Sequence, residues 1–515
     1  MRPATSQPNW PAELFPPTLH TATARLRSHL TARVGADGAV RDPCHSRIME
    51  SALALNLLDR TGLHPRRRAR LLAYLRAQDV TDPLDRILVD LALTRAEAAG
   101  PPAGLAAGFL AQAPGFTGTR KQAMFDALFA LYGLVPRYPL DPGAFTLAGL
   151  HSWATLQVTA VKVVLADAAG QPDGISDEDA RILLESQCQS HVWEGNLLIH
   201  LWALHALHRL PHTAEIVADG VAKAMAYQRE DGGMPFVGDT DTWCTATAGV
   251  ALAAASAPRN TLGAIASHLL SQQQPGGGWS YTDLSRQTDV DDTSVAVQFL
   301  NALDVQEYRE AIRRGERSLL AVRNSDNGFP TYIAGAESEA CMTAAAVDAL
   351  TTRWEGHRDT IASGLEFLSG QQREDGSFPP DWSSSRLHTA FRALLAATRN
   401  PRHRPGHLQH MIKRIMTLVL DGQNADGGWG QQYREPSDPI STAYALIAVC
   451  RQDDPGPAAC AVRYLLDSQR EDGGIASISD SIGPRPLRFT VPILADIFTL
   501  LALGHLGRRI VRDIR

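Results

Sequence analysis

Gln423-Asn424-Ala425-Asp426-Gly427-Gly428-Trp429 is the stretch that decides the fold, because versions of it recur through the chain. The same cassette stands at Gln228-Arg229-Glu230-Asp231-Gly232-Gly233, Gln274-Pro275-Gly276-Gly277-Gly278-Trp279, Gln372-Arg373-Glu374-Asp375-Gly376-Ser377-Phe378 and Gln469-Arg470-Glu471-Asp472-Gly473-Gly474, with a reduced form at Asp326-Asn327-Gly328-Phe329. Glycines 232, 277, 328, 376, 427 and 473 are 45 to 51 residues apart, enough for one pair of helices per repeat. The Gly pairs read as left-handed helix stops, and the Asp as a turn residue bonding its own backbone.

Between cassettes the chain is rich in Ala and Leu at helical spacing, as in Thr442-Ala443-Tyr444-Ala445-Leu446-Ile447-Ala448-Val449, with few stretches of period two. The expected fold class is all-α. Six helix pairs in the C-terminal half suit a double-layered ring, although open solenoids share the periodicity. The first half is less regular. Asp37-Gly38-Ala39-Val40 before Ser46–Leu55, and Trp193-Glu194-Gly195-Asn196 before Leu197–Leu204, repeat the turn-then-helix shape, so a second helical lobe is expected there.

Composition narrows the function. With 515 residues, 44% hydrophobic and 20% charged, the chain is globular and long enough for two or three domains. A net charge of -6 gives no reason to expect nucleic acid. The cysteines at 44, 188, 244, 341, 450 and 460 form no C-x-x-C pair and fit no disulfide framework, so a reducing cytoplasm is the expected home. No run of about 18 apolar residues is present, so no membrane span is expected; peripheral contact through Gly104–Leu110 stays open.

The chemistry concentrates at Asp289-Val290-Asp291-Asp292-Thr293, three carboxylates opening the apolar run Ser294–Leu300. One reading is a helix cap, since carboxylates suit free N–H groups and the positive end of the macrodipole. The other is acid catalysis. Three carboxyls in a poorly solvated site cannot all ionise, because like charge and desolvation both favour the neutral form, so one proton is retained.

Together the cassettes and the acid cluster resemble the class II terpene cyclases, which include squalene-hopene cyclases and the cyclases of isoprenyl diphosphates. The cassettes are similar to that family's Gln-Trp motifs, and residues 289–293 match its D-x-D-D-T signature. Trp243-Cys244-Thr245-Ala246 resembles a W-D-T-G strip with Cys in place of Asp. Gly277-Gly278-Trp279-Ser280-Tyr281 resembles G-G-F-x-F, and Asp426–Gly430 reproduces D-G-G-W-G.

The resemblance implies two α/α-barrel (toroid) domains in βγ arrangement. An N-terminal helix (1–34) and residues 239–515 would form the β domain, an inserted γ domain would span 35–238, and the reaction cavity would lie between them. It implies Asp291 as proton donor, with Asp289 and Asp292 orienting and tuning it, and Trp243, Tyr281, Trp429 and Trp382 lining the substrate. Trp279 reads instead as a brace between helices.

The family His that touches the acid cluster in squalene-hopene cyclases is replaced by Ala in Thr343-Ala344-Ala345-Ala346, which argues for a diphosphate substrate. The expected substrate is therefore farnesyl (C15) or geranylgeranyl (C20) diphosphate, cyclised to a drimane- or labdane/halimane-type bicycle with the diphosphate kept; 6% aromatic content agrees with one or two ring closures. Arg485, Arg488 and Lys162 are the candidates to receive the diphosphate with Mg2+, whose protein ligands are not readable; Glu50 stands in a stretch similar to the γ-domain helix. Water, His388 or Tyr433 would end the reaction. The alternatives are a squalene or meroterpenoid cyclase, a zinc protein prenyltransferase subunit with Glu339-x-Cys341 and a distant His but no Asp, and a non-catalytic repeat scaffold. Oligomeric state is not readable.

Overall fold

The computed structural model describes residues 9–94, 104–111, 117–134, 142–399 and 406–510. The chain divides into two compact units. The first comprises the segment up to Asp42, Thr240–Ile482 and the segment from Thr490; the second comprises Pro43–Asp239 and Gly483–Phe489. The sequence boundaries had fallen at 34/35 and 238/239, with all of 239–515 in one domain; here the loop Gly483–Phe489 groups with the second unit.

Helix α1 (Leu19–Ala32) opens the first unit. The second unit holds α2 (Ile48–Thr61), α3 (Pro65–Arg76), α4 (Pro83–Thr94), α5 (Leu105–Ala111), α6 (Gly118–Ala130), α7 (Ser152–Ala168), α8 (Asp177–Glu185), α9 (Leu197–Leu207) and α10 (Ala214–Met225). The first unit resumes with α11 (Asp241–Ala254), α12 (Arg259–Gln272), α13 (Val290–Leu303), α14 (Arg309–Val322), α15 (Ala340–Leu350) and α16 (Trp354–Gln371). It ends with α17 (Leu387–Thr398), α18 (Gly406–Asp421), α19 (Pro439–Val449), α20 (Gly456–Asp467) and α21 (Leu494–Gly507).

In the first unit α11, α13, α15, α17, α19 and α21 pack each on the next, and α21 returns to α11, so the inner layer is a closed ring. Burial separates the layers. Every residue of α15 and α19 is buried, whereas the outer helix α14 buries a single stripe of Ala311, Ile312, Gly315, Glu316 and Leu319. The outer layer is α12, α14, α16, α18 and α20, completed by α1, which packs on α20, α21 and α11.

The cassette Gln is the clamp between repeats. Its side-chain amide donates to the carbonyl of its own cassette Gly and to a carbonyl near the start of the following outer helix. Gln423 bonds Gly427 and Pro457 (both 2.9 Å), and Gln372 bonds Gly376 (3.1 Å) and Met411 (3.2 Å). Gln469 bonds Gly473 (2.8 Å) and Ala22 (3.1 Å), which ties the last repeat to α1 and closes the ring. In the second cassette Gln273, not Gln274, does this, bonding Gly277 (2.8 Å) and Ala311 (2.9 Å). Glycine is required at Gly277, where φ is +93° and a Cβ would lie 2.4 Å from the Arg314 carbonyl oxygen.

One of the six cassettes lies outside the ring, and a turn not counted among the six takes its place. Gln228 bonds Arg67 (3.0 Å) and Gly232 (2.8 Å) inside the second unit, where Met234–Pro235 pairs antiparallel with Ser46–Arg47. The sixth turn of the ring is Asp37-Gly38-Ala39-Val40. Gly38 has φ +84° and its Cβ would meet the Ala264 oxygen of α12 at 2.1 Å, as Gly277 meets α14. The inner helix that answers this turn is α11, reached only after the whole second unit: Val40 N–H donates to the Thr245 hydroxyl at 2.7 Å. The second unit is thus an insertion within one repeat, between its turn and its inner helix.

In that unit the wholly buried α9 packs against α2 and α7, and α7 against α6. Among the described residues, no helix is long and apolar enough to cross a membrane.

Candidate active site

The acid cluster is best read against its register equivalents. Asp289, Glu339 and Asp438 each take an N–H···O bond from their own backbone to the carbonyl of a cassette aromatic, Trp279 (3.1 Å), Phe329 (2.9 Å) and Trp429 (2.9 Å). Four residues on, Thr293, Thr343 and Thr442 accept the N–H of the same aromatics at 3.0, 2.9 and 2.9 Å. The first Asp and the Thr of Asp289–Thr293 therefore belong to the architecture of the repeat. Asp289 also caps α13, its side chain accepting from Asp292 N at 2.8 Å, just as Asp438 accepts from Ser441 N on α19. The capping role is real, and it leaves Asp291 and Asp292 as the carboxylates that the repeat does not explain; Cys341–Met342 and Ile440–Ser441 occupy their places.

Burial and charge divide the three acids. Asp289 and Asp292 are 8% and 4% exposed. Burial first, then the neighbouring Asp291 charge, push Asp289 up to about 6 despite its hydrogen bonds to Asp292. Burial followed by the charge and hydrogen bond of Asp289 push Asp292 well above the usual carboxylate range, with Arg392 opposing. Both carboxyls of this pair are therefore pushed towards the protonated form. Asp291 is half-buried, its side chain 15% exposed, and is ion-paired with the Arg392 guanidinium of α17 at 2.5 Å. Arg392 carries no signal in the sequence, since an Arg within an Ala/Leu helix reads as a surface residue; at 8% exposure it is instead buried.

Aromatic rings run along the inner helices. Trp243 of α11 lies 6.2 Å from Phe498, which lies 4.8 Å edge-on from Tyr444, itself stacked 4.8 Å from Phe391. Trp243 and Tyr281 are half-buried, and the Tyr281 carbonyl accepts Trp243 N–H at 3.3 Å. Trp382 is half-buried too, donating to Thr331 (3.3 Å) and packing edge-on against Tyr332. Trp429, expected to line the substrate, is 1% exposed and donates its ring N–H to Val419 of α18 at 2.6 Å. That is the bracing geometry of Trp279 on Leu269 (2.7 Å), so no open space reaches the Trp429 ring. Phe391, Tyr444 and Phe498 were missed because they stand on inner helices outside the cassettes.

The second unit gathers cations. Arg485, in the loop Gly483–Phe489, joins Arg120 and Arg47 in acting on Lys121, and burial with these three positive charges pushes the Lys121 ammonium down to about 7. Arg47 anchors the loop, donating to Gly483 O (2.6 Å) and Arg488 O (3.2 Å), and is ion-paired with the fully buried Glu50. Asp85 of α4 is pushed up to about 6 by burial and then by Asp82, with Glu50 adding to it. The charges acting on this buried Lys are all positive, and such a group is chemically suited to an anion. Lys162 does not belong here: it is ion-paired with Asp179 (2.6 Å), the acid of the capping box that starts α8, so it is structural. Arg488 contributes a backbone carbonyl to Arg47.

A ring of paired helices carrying a proton-retaining carboxylate cluster defines a protonation-initiated cyclase. The comparisons agree. A squalene-hopene cyclase C-terminal domain model matches residues 336–508, and a prenyltransferase alpha-alpha toroid domain model matches 182–379. The chain is 38% identical over 508 residues to a drimenyl diphosphate synthase of Streptomyces showdoensis, covering 94% of this chain and 95% of that one. It is 39% identical over 498 residues to a drimenyl diphosphate synthase of Streptantibioticus cattleyicolor, 93% of each. In fold it is similar to an ent-copalyl diphosphate synthase from Streptomyces platensis, with TM-score 0.56, 18% identity, and coverage of 95% and 99%. The chain belongs to the class II terpene cyclases.

Proposed function

We propose that this protein protonates the terminal alkene of farnesyl diphosphate and cyclises it to a drimane-type bicycle with the diphosphate retained. The observation that carries the reading is the carboxylate cluster: Asp289 and Asp292 hold a proton above the usual carboxylate range beside the half-buried Asp291. An alkene is a weak base, so the donor's conjugate base must be stabilised once the proton leaves. Arg392 does this for Asp291, while Asp289 and Asp292 keep a proton within the cluster. The rings of Trp243, Phe498, Tyr444 and Phe391 lend their negative faces to the cations, each contributing about 0.5–2 kcal/mol at suitable distance.

Lys121, Arg120, Arg47 and Arg485 receive the diphosphate, so of the residues expected from sequence Arg485 is kept, while Arg488 and Lys162 are not. Mg2+ bound mainly through phosphate oxygens and water needs one or two protein carboxylates, and Asp85 and Glu50 are the acids next to Arg47. When bound, it would neutralise phosphate charge. Six cysteines, all free, support a reducing cytoplasmic setting.

The test is incubation of the purified chain with farnesyl diphosphate, geranylgeranyl diphosphate or squalene and Mg2+, followed by dephosphorylation and product identification. A drimane alcohol from the C15 substrate alone is expected. Preferred turnover of the C20 substrate would assign a labdane- or halimane-type product instead, and turnover of squalene or release of free diphosphate would refute retained-diphosphate cyclisation.

A further inference from the structure

Cys341 holds, in the repeat after the acid motif, the register position of Asp291, and it opens a second cluster that the protonation chemistry does not use. Its Sγ lies 3.6 Å from Nδ1 of His388, and the same Nδ1 lies 3.0 Å from Oδ2 of Asp381. The three potential ligand atoms all lie within 4.8 Å of one another. The residues are 1%, 5% and 6% exposed for Cys341, His388 and Asp381.

One imidazole nitrogen carries either a hydrogen or a lone pair, so it cannot satisfy both neighbours. If Nδ1–H donates to Asp381, the sulfur is left without a bond to it. If Nδ1 accepts from the thiol, the Asp381 carboxylate faces a lone pair. A cation at the centre makes all three atoms ligands at once. With zinc bonds of about 2.3 Å to S and about 2.0–2.2 Å to N and O, tetrahedral separations are about 3.5 Å for S···N and about 3.4 Å for N···O. The first is already present, N···O lies a few tenths of an ångström short of its value, and all three ligand atoms fall within 4.8 Å of one another.

The surroundings fit. Asp381 accepts Ser383 N at 2.6 Å on Oδ1 and the Thr389 hydroxyl on Oδ2, the kind of second layer that orients a ligating carboxylate. Burial works against its charge, but His388 and these hydrogen bonds outweigh it and hold the carboxyl below its ordinary value. The carboxylate comes from the loop before α17, not from Glu339, which accepts a hydrogen bond from Thr331.

We infer that Cys341, Asp381 and His388 form a three-ligand site for a thiophilic divalent cation of the zinc class, with the fourth position open. A thiolate and an imidazole exclude Mg2+ as its occupant. Bound there, the ion would cross-link α15 to the start of α17, beside the Arg392 guanidinium, whose Nη1 is 3.8 Å from the sulfur.

The experiment uses Co2+ as a spectroscopic probe on the intact chain, produced in cobalt-supplemented minimal medium and also stripped with chelator and titrated. One Co2+ per chain is expected, with a near-ultraviolet thiolate-to-cobalt band, displacement by Zn2+ and a raised Tm. The band should vanish in Cys341→Ser and in His388→Gln, each checked for helix content by circular dichroism, while Asp381→Asn should bind at least tenfold more weakly. Asp291→Asn should keep the band. A folded wild-type chain without a stoichiometric thiolate–cobalt band, or a band that survives Cys341→Ser or His388→Gln, would overturn the assignment. No terpenoid substrate enters the measurement, so its failure is separate from failure of the cyclase reading.

Discussion

Arg392 of α17 grips Asp291 across α15, joining residues 101 positions apart on helices two places removed in the inner ring. The pair gives the cluster its asymmetry. Asp291→Asn should lower cyclisation by about 10²–10⁴-fold or more, the range expected for a lost general acid, with substrate binding retained. Arg392→Lys keeps the charge but loses the fixed guanidinium geometry, and should lower kcat with little change in KM. Removing Arg392's charge altogether would leave Asp291 unpaired and cost stability as well as activity, so the conservative variant is the informative one. Wild-type turnover by Asp291→Asn in a product assay would transfer the donor role to another residue.

The raised pKa values of Asp289 and Asp292 make both activity and stability depend on pH. Activity needs the cluster to hold its proton, so kcat should be level at low pH and fall along a limb above about 6, the position of Asp289, with Asp292 also pushed well above the usual carboxylate range. For stability, both folded pKa values lie above the unfolded value. Their contribution is complete below the unfolded value and is lost as pH rises through the folded ones. The Tm of the wild type should therefore fall more steeply from pH 5 to pH 8 than that of Asp292→Asn, as thermal scans in matched buffers will show. Parallel curves would mean that Asp292 carries no raised pKa.

Much of this was legible in sequence because each cassette answers a local demand. A left-handed turn pressed against the next helix admits glycine, and the aromatic that follows must bond the next inner helix. Ring closure was not legible, since it depends on Ala22 meeting Gln469 and Val40 meeting Thr245 across the inserted unit. Arg392, Lys121 and Asp381 were invisible for a related reason. Each is an ordinary residue in its own stretch and acquires meaning only from neighbours far away in the chain. Lys162 failed the other way: an apolar run made its charge look functional, when a capping carboxylate 17 residues on was its partner.

The clamp makes a sharp local prediction from two adjacent glutamines. Gln273 makes two good bonds, to Gly277 and Ala311, whereas the Gln274 side chain reaches Gln272 O and Ser285 O only at 3.4 Å each. At about 0.5–1.5 kcal/mol net per hydrogen bond, Gln273→Ala should cost about 1–3 kcal/mol. Gln274→Ala should stay within about 0.5 kcal/mol, as surface changes do. Urea titration of the two variants side by side decides it, and equal losses would remove the clamp from the account of repeat packing.

Lys121 offers the clearest test of the anion site, because its ammonium is held down to about 7 by burial and by Arg485, Arg120 and Arg47. A bound diphosphate supplies the missing counter-charge and raises the Lys121 pKa again, so binding above pH 7 must take up a proton. Affinity for a non-reactive farnesyl diphosphate analogue should then weaken as pH rises from 7 towards 9, by up to tenfold per unit. Calorimetry in two buffers of different ionisation enthalpy should count close to one proton taken up at pH 8. Lys121→Met should bind more weakly at pH 7 yet lose both the uptake and the slope, while Lys162→Met should leave affinity unchanged. An unaltered proton count in Lys121→Met would place the diphosphate away from this cluster.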